Sequence, residues 1–150
     1  MDKEQEKKQQ EISAEKPLLW NPNASAAWSL IFSPAFGAIL HAINWKVLGQ
    51  PDKAKENKGW AWAIIILLLL IAVIPPNVEF VEDAARVGGI MLLVAWYVSQ
   101  GRVQATYVKD KYGKEYEKKR WAKPLLIALA CIVGYIIFIV VVSIIYAMLD

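Results

Sequence analysis

The side chains best suited to chemistry are four charged residues in a short connection between two apolar runs. Glu79, Glu82 and Asp83 precede Arg86, and a helix would place Glu82 and Asp83 four and three residues before the arginine, at contact spacing. A charge at the end of an apolar segment is costly unless it is paired or reaches the membrane surface. This cluster is therefore predicted either to anchor a helix end or to bind a partner.

Two further reactive residues lie within apolar runs. His41 would need an acid at similar depth to act as a proton relay, and the uncharged runs contain none. We therefore expect His41 to make an intramembrane polar contact with a neighbouring helix. Cys131 is the single cysteine and is expected to be a small buried hydrophobe. One His and one Cys cannot form a four-ligand metal site, so no metal or cofactor is predicted.

Signatures of enzymes are absent from the sequence. It contains no glycine-rich phosphate loop, no Gly-x-Ser-x-Gly motif and no paired carboxylates within an apolar run. The sequence therefore predicts a protein that is not an enzyme.

Composition and its distribution define the class of protein that must position these residues. Of the 150 residues, 57% are hydrophobic and 21% are charged. The apolar residues form blocks, and residues 60–74 and 125–149 contain no charge. The second block exceeds the roughly 20 residues that cross a bilayer as a helix. The sequence predicts an all-α integral membrane protein.

The chain divides into a charged N-terminal tail, residues 1–20, and a single membrane domain, residues 21–150. Proline and glycine punctuation places four transmembrane helices in this polytopic bundle, at about 24–45, 59–75, 82–100 and 124–149. Pro34 must kink or break the first of these, because proline removes a backbone hydrogen bond. An alternative fold therefore has three spans and a re-entrant first segment.

The distribution of basic residues predicts the orientation. Loops 44–59 and 102–123 contain four and eight Lys or Arg, whereas loop 77–86 contains one. Because Lys and Arg favour the cytoplasmic side, we expect the first two loops to be cytoplasmic and loop 77–86 to be extracytoplasmic. A re-entrant first segment would also place the tail, with its four lysines, in the cytoplasm.

Two further patterns predict contacts with lipid and between helices. Loop 102–123 interleaves aromatic and basic residues beside a membrane segment, so it is predicted to contact anionic headgroups rather than nucleic acid. Small residues spaced four apart let helix backbones approach closely. Gly88, Gly89 and Gly134 belong to such pairs and are predicted to pack against neighbouring helices.

Several short motifs carry a resemblance. Ser33-Pro-Ala-Phe-Gly37 lies in the first segment and Asn44-Trp-Lys-Val-Leu48-Gly49 follows it. Gln100-Gly101 follows the third segment, and Arg120-Trp121 leads into the fourth. In these features residues 21–149 resemble a diffuse group of small bacterial inner-membrane proteins with an Asn-x-x-x-Leu-Gly turn. The resemblance implies four spans in a bacterial inner membrane. It brings no catalytic residues, and the tail lies outside it.

These observations predict a non-enzymatic inner-membrane protein that acts by binding a protein partner in or at the membrane. An immunity protein against a membrane-inserting toxin fits this description, with Glu79, Glu82, Asp83 and Arg86 as the binding residues. An accessory or scaffold subunit of a larger membrane complex is the alternative. A small transporter is disfavoured, because a four-span proton exchanger requires an acid within the membrane.

Overall fold

The computed structural model describes residues 16–75 and 79–149, and for residues 79–84 it describes the backbone alone. Most of the predicted tail, residues 1–15, therefore lies outside the described residues. The described chain is mainly helical, as predicted. Its elements, in chain order, are β1 (Leu18–Leu19), α1 (Pro22–Phe32), α2 (Pro34–Val47), α3 (Pro51–Ala72), α4 (Glu79–Trp96), a π-helical turn (Tyr97–Gly101), α5 (Arg102–Tyr112), β2 (Glu117–Lys118) and α6 (Ala122–Leu149).

The predicted single helix over about 24–45 is wrong, because this segment forms two helices. The Asn21 side chain caps α1 by accepting from the Asn23 and Ala24 N–H groups, and Pro34 ends the run as predicted. Between the helices, Ser33 has φ +133° and ψ 161°, a conformation nearly restricted to glycine. The chain reverses there, so the start of α1 lies beside the end of α2.

Cross-contacts show that α1 and α2 are antiparallel. Asn44 hydrogen-bonds Trp20, His41 hydrogen-bonds Pro22, and Gly37 lies against Ser29. The two residues of each contact are closer together in the sequence the nearer the contact lies to Ser33, as expected for two antiparallel helices joined at that residue. We call α1 and α2 together the helical hairpin.

A tight turn leads from α2 into α3. The N–H of Gln50 donates to the Trp45 carbonyl at 2.9 Å, and Gly49 has φ +70°, which glycine adopts without a steric cost. Helix α3 then begins at Pro51, well before the uncharged run that starts at Trp60. The predicted segment 59–75 is thus the apolar part of a longer helix.

The third predicted segment also belongs to a longer helical run. Helix α4, the π-helical turn and α5 follow one another from Glu79 to Tyr112, where the sequence predicted about 82–100. The extension returns the chain to the end of the molecule occupied by the α2–α3 turn. There Leu19, Trp45, Leu48, Ala54 and Val108 form one core cluster. A second cluster, Ala38, Ala61 and Trp96, joins α2, α3 and α4.

The last helix packs loosely against the others. Of the 28 residues of α6, Pro124 and Ala128 are buried. The Tyr135 hydroxyl donates to the Leu68 carbonyl at 3.0 Å, and that of Tyr146 donates to the Val73 carbonyl at 2.7 Å. These two bonds join α6 to α3 and to the residue that follows it.

Within the described residues, one helix has both the length and the apolar composition of a membrane span, and this helix is α6. The sequence predicted four. The difference arises because α3 and α4 each join a charged stretch to an apolar one, while the first segment is divided at Ser33. A helix of this kind is compatible with membrane association.

A short contact that the sequence did not predict closes the fold. Strands β1 and β2 pair in parallel, with Leu18 opposite Glu117 and Leu19 opposite Lys118. Lys16 also forms an ion pair with Glu115 at 3.7 Å. The chain before α1 is therefore fixed to the loop before α6.

Candidate functional site

A buried amide network holds the helical hairpin against α5. The Asn44 Nδ2 donates to the Trp20 carbonyl at 2.8 Å and to the Gln104 Oε1 at 3.1 Å. The Gln104 Nε2 in turn donates to the His41 carbonyl at 2.9 Å. Because buried amides are costly to leave unpaired, this network specifies how the two elements meet.

A second amide pair joins α3 to the π-helical turn. The Asn57 Nδ2 donates to the Gln100 Oε1 at 2.8 Å and to the Lys53 carbonyl at 3.0 Å. Gln100 reaches Glu56 at 3.5 Å. The π-helical turn inserts an extra residue into the helix. Gln100 within this turn bonds to α3, and Gln104 just after it bonds to the helical hairpin.

His41 lies in the interior, with no solvent exposure. Its Nε2 is 3.2 Å from the Pro22 carbonyl. Since a carbonyl can only accept, Nε2 carries the proton in this contact. The Trp96 ring packs against the His41 ring at a centroid distance of 5.2 Å, edge to face. His41 thus contacts a neighbouring helix through a backbone carbonyl.

Gly37 is the tightest glycine contact in the described chain. A Cβ at this position would collide with Ser29 Oγ on α1 and with the Trp96 ring. The absence of a side chain lets α1, α2 and Trp96 meet at one point.

Lysines and aromatic rings alternate over the end of the molecule that carries the α2–α3 turn. Lys53 Nζ lies 5.1 Å from the Trp45 ring centroid, and Trp45 packs against Tyr107 at 5.1 Å. Lys111 Nζ lies 5.6 Å from the Tyr107 ring and 5.4 Å from that of Tyr112. Such cation–π contacts position an ammonium while leaving its other protons available to an anion.

A second set of rings and cations surrounds the start of α6. Lys119 Nζ lies 4.4 Å above the Trp20 ring, and Trp20 Nε1 donates to the Arg120 carbonyl at 3.2 Å. Trp121 packs against Trp28 with ring centroids 6.5 Å apart. Partial burial lowers the pKa of Lys119 from its ordinary value. This arrangement can attract and orient an anion.

Positive charge is also crowded on α2 and α3. The neighbouring Lys46 ammonium lowers the pKa of the exposed Lys58, because like charges disfavour protonation. Together with the lysines above, this pair makes the end of the molecule with the α2–α3 turn strongly basic.

The predicted partner-binding cluster is described in part. Arg86 is exposed, whereas the side chains of Glu79, Glu82 and Asp83 lie outside the described residues. Their backbone is helical from Glu79 onward. The four positions are therefore spaced 0, 3, 4 and 7 along α4, which puts them on one helix face.

The three glycines predicted to pack against other helices do not do so in the described part of the chain. Around Gly88, Gly89 and Gly134, the space that a Cβ would occupy has no neighbouring atom within 4 Å. Small residues spaced four apart permit close packing, but the spacing does not specify a partner helix. Cys131, expected to be buried, is also exposed.

Sequence reasoning missed the residues that organise this region. Asn44 and Gly37 were noticed only as parts of short motifs, and Trp20, Gln104 and Asn57 were not singled out. A buried amide leaves one signal in sequence, a polar residue on an otherwise apolar helix face. This signal does not identify the residues that the amide bonds to. For Asn44 these are Trp20 and Gln104, which are 24 and 60 residues away in the sequence.

Comparisons with known proteins do not add an assignment. No protein-family model, curated protein or solved structure matches this chain.

Proposed function

We propose that the chain is an integral protein of a bacterial inner membrane that acts by binding a protein partner rather than by catalysis. Support for membrane insertion comes from α6, a largely apolar helix of 28 residues, most of which are exposed. Exposed apolar surface of this extent is stable in lipid or against another membrane helix.

The proposed threading has three crossings, α3, α4 and α6, and a re-entrant helical hairpin. The hairpin favours this form over four spans, because Trp20 and Asn44 are in contact and so lie on one side. The tail and the two basic loops then share the cytoplasmic side, with sixteen Lys or Arg against one in loop 77–86. The positive-inside tendency favours the same arrangement.

The apolar parts of α3 and α4 are short for membrane spans. The helical hairpin supports the proposed threading because it can pack beside them within the membrane. Residues 60–74 would extend about 22 Å at 1.5 Å per residue, less than the roughly 30 Å hydrocarbon core. Short spans are accommodated by neighbouring helices and by local thinning of the bilayer. The hairpin, packed against α3 through Ala38 and Ala61, supplies such a neighbour.

The partner-binding surface proposed here is the helix face with Glu79, Glu82, Asp83 and Arg86. The observation that carries this proposal is the helical backbone from Glu79, which puts all four positions on one face in the first turns of α4. Exposed ion pairs contribute only about 0–1 kcal/mol to folding. Charges in this arrangement are therefore better suited to recognition than to stability.

Reversal of these charges tests the proposal. Glu82→Lys and Arg86→Glu are each expected to abolish co-purification of the partner in mild detergent, with wild-type amounts of protein in the membrane. Asp110→Lys, on the cytoplasmic helix α5, is the matched control and should retain the partner. If Asp110→Lys loses the partner and the other two keep it, the functional surface is cytoplasmic and the proposal fails.

The kind of partner separates the two biological roles. An immunity protein would retain a membrane-inserting toxin and protect cells that express it. An accessory or scaffold subunit would retain several membrane proteins in a fixed ratio. Neither role requires an acid within the membrane. A proton-coupled transporter does require one, and the uncharged runs contain none.

A further inference from the structure

Trp20 is held rigidly at the start of the helical hairpin. Its backbone N–H and carbonyl are both bonded to the Asn44 side chain, and its indole N–H donates to the Arg120 carbonyl. The ring therefore has one orientation relative to the loop before α6.

Lys119 is fixed against this ring by two independent contacts. Its backbone N–H donates to the Leu19 carbonyl at 2.8 Å, and its ammonium lies 4.4 Å from the centre of the Trp20 ring. A lysine held in this way has lost much of its side-chain entropy before it meets a ligand, which lowers the cost of binding.

Three more cations, Lys118, Arg120 and Lys123, lie within four residues of Lys119. Arg120 and Lys123 are both exposed, and Trp121 lies between them. Of the acids in the preceding loop, Glu115 is paired with Lys16. We call Trp20, Lys119, Arg120, Trp121 and Lys123 the Trp20 site.

We infer that the Trp20 site binds the phosphate of an anionic phospholipid headgroup in the cytoplasmic leaflet. This inference rests on the proposed threading, which places the start of α6 at the membrane surface. Indole rings are enriched at that level of the bilayer, and clusters of Lys and Arg beside a span attract anionic lipids. Trp28, packed on Trp121, extends the interfacial aromatic surface.

The position of the rings favours lipid over nucleic acid. A nucleic-acid site would present its rings to solvent for base stacking. Here Trp20 is covered on one face by Lys119, and Trp121 is packed against Trp28. The Trp20 site also adjoins Pro124, the first buried residue of α6, where a headgroup would lie.

Native mass spectrometry of the full chain in mild detergent tests the inference, with phosphatidylglycerol and phosphatidylcholine as probes at equal concentration. We expect the wild type to retain phosphatidylglycerol preferentially. The triple variant Lys119→Gln, Arg120→Gln, Lys123→Gln should lower the ratio of the two lipids by about tenfold or more, since each surface cation contributes to the attraction. The single variant Lys119→Arg should keep most of the wild-type preference for phosphatidylglycerol, because arginine also stacks on indole.

The matched control removes three cations elsewhere on the same side. Lys109→Gln, Lys111→Gln, Lys114→Gln should leave the lipid ratio within about twofold of the wild type, since only general attraction is lost. Equal losses in both triple variants would show that net charge alone is responsible and would overturn the inference. So would a wild type without preference, or one that binds a single-stranded oligonucleotide instead.

Three measurements distinguish failure of the lipid inference from misfolding, from failure of the partner-binding proposal and from a wrong threading. If the triple variant does not fold, Arg120→Gln with Lys123→Gln changes two exposed residues and should still lower the ratio. Loss of the partner in the charge-reversal variants of α4, with the lipid ratio unchanged, would separate the two surfaces. Cysteine labelling of the loop at Lys114 reports the threading independently of lipid retention.

Discussion

The side-chain amide of Asn44 hydrogen-bonds both backbone polar groups of Trp20, 24 residues earlier in the chain. Its Oδ1 accepts from the Trp20 N–H at 3.1 Å and its Nδ2 donates to the Trp20 carbonyl at 2.8 Å. The Asn44 side chain thus pairs the backbone N–H and carbonyl of Trp20, as a neighbouring strand would. It fixes the beginning of the helical hairpin to its end.

Loss of the Asn44 side chain is expected to destabilise the fold substantially. Asn44→Ala leaves the polar groups of Trp20 and the Gln104 amide without their buried partner, at a cost of about 2–3 kcal/mol. The melting temperature in mild detergent, followed by far-UV circular dichroism, should fall by several degrees. Asn23→Ala, an exposed position on α1, is the control and should change it little. Similar melting of both variants would mean that the Asn44–Trp20 contact does not form.

The break between the two helices was within reach of sequence analysis, which gave a re-entrant first segment as the alternative fold, but the contacts that hold the helices together were not. Pro34 cannot continue the α1 hydrogen-bond pattern, and the Asn21-Pro22 pair has the chemistry of a helix start. Neither residue sets the angle at which the chain leaves Ser33. That angle depends on Asn44 meeting Trp20 and on Gly37 meeting Ser29, which are tertiary contacts without a local signature.

Gly37 should tolerate substitution far less well than the glycines that the sequence singled out. Gly37→Ala places a methyl group against Ser29 Oγ and the Trp96 ring, and overpacking of this kind costs about 1–3 kcal/mol. Gly89→Ala places the same methyl group in open space. We expect a lower melting temperature for the first variant, and an unchanged or slightly higher one for the second, because alanine favours helix. The reverse order would restore the original prediction that Gly89 packs closely.

Comparison of these glycines shows what the spacing of small residues can predict. Ala85 and Gly89 are four residues apart and share a helix face, which permits close packing but does not require a partner. Gly37 belongs to no such pair that the sequence singled out. Gly37 allows close packing because it lies where α1, α2 and the Trp96 ring meet. The length and apolar composition of a membrane span, by contrast, were visible in the charge-free run of α6, because they depend on the sequence of that segment alone.

Ser33 offers a test of backbone strain at the hairpin turn. Its φ of +133° with ψ of 161° is costly for any residue with a Cβ, by about 1–3 kcal/mol. Ser33→Gly should therefore raise the melting temperature. Ser99→Gly, within the continuous helical run, should lower it, because glycine is a poorer helix former than serine by about 0.5 kcal/mol. A decrease for Ser33→Gly comparable to that for Ser99→Gly would show that the turn is not strained.

Cysteine labelling in a Cys131→Ser background decides how the chain is threaded. Single cysteines replace Lys16, Asn77 and Lys114, and an impermeant maleimide is added to intact cells. Asn77 lies outside the described residues but between α3 and α4. We expect Asn77→Cys to react, and Lys16→Cys and Lys114→Cys to react only after the membrane is permeabilised. The chain without cysteines controls for background.

Lys16→Cys distinguishes the hairpin from a spanning first segment. Lys16 is paired with Glu115 and lies four residues before Trp20, so the structure requires it to share a side with Lys114. If both lie in the cytoplasm, the bilayer is crossed by α3, α4 and α6 and the hairpin enters and leaves on one side. Reaction of Lys16→Cys in intact cells, with Lys114→Cys protected, would separate Trp20 from Asn44 by the thickness of the membrane. The hairpin, the proposed three-crossing threading and the Trp20 site would then all be wrong.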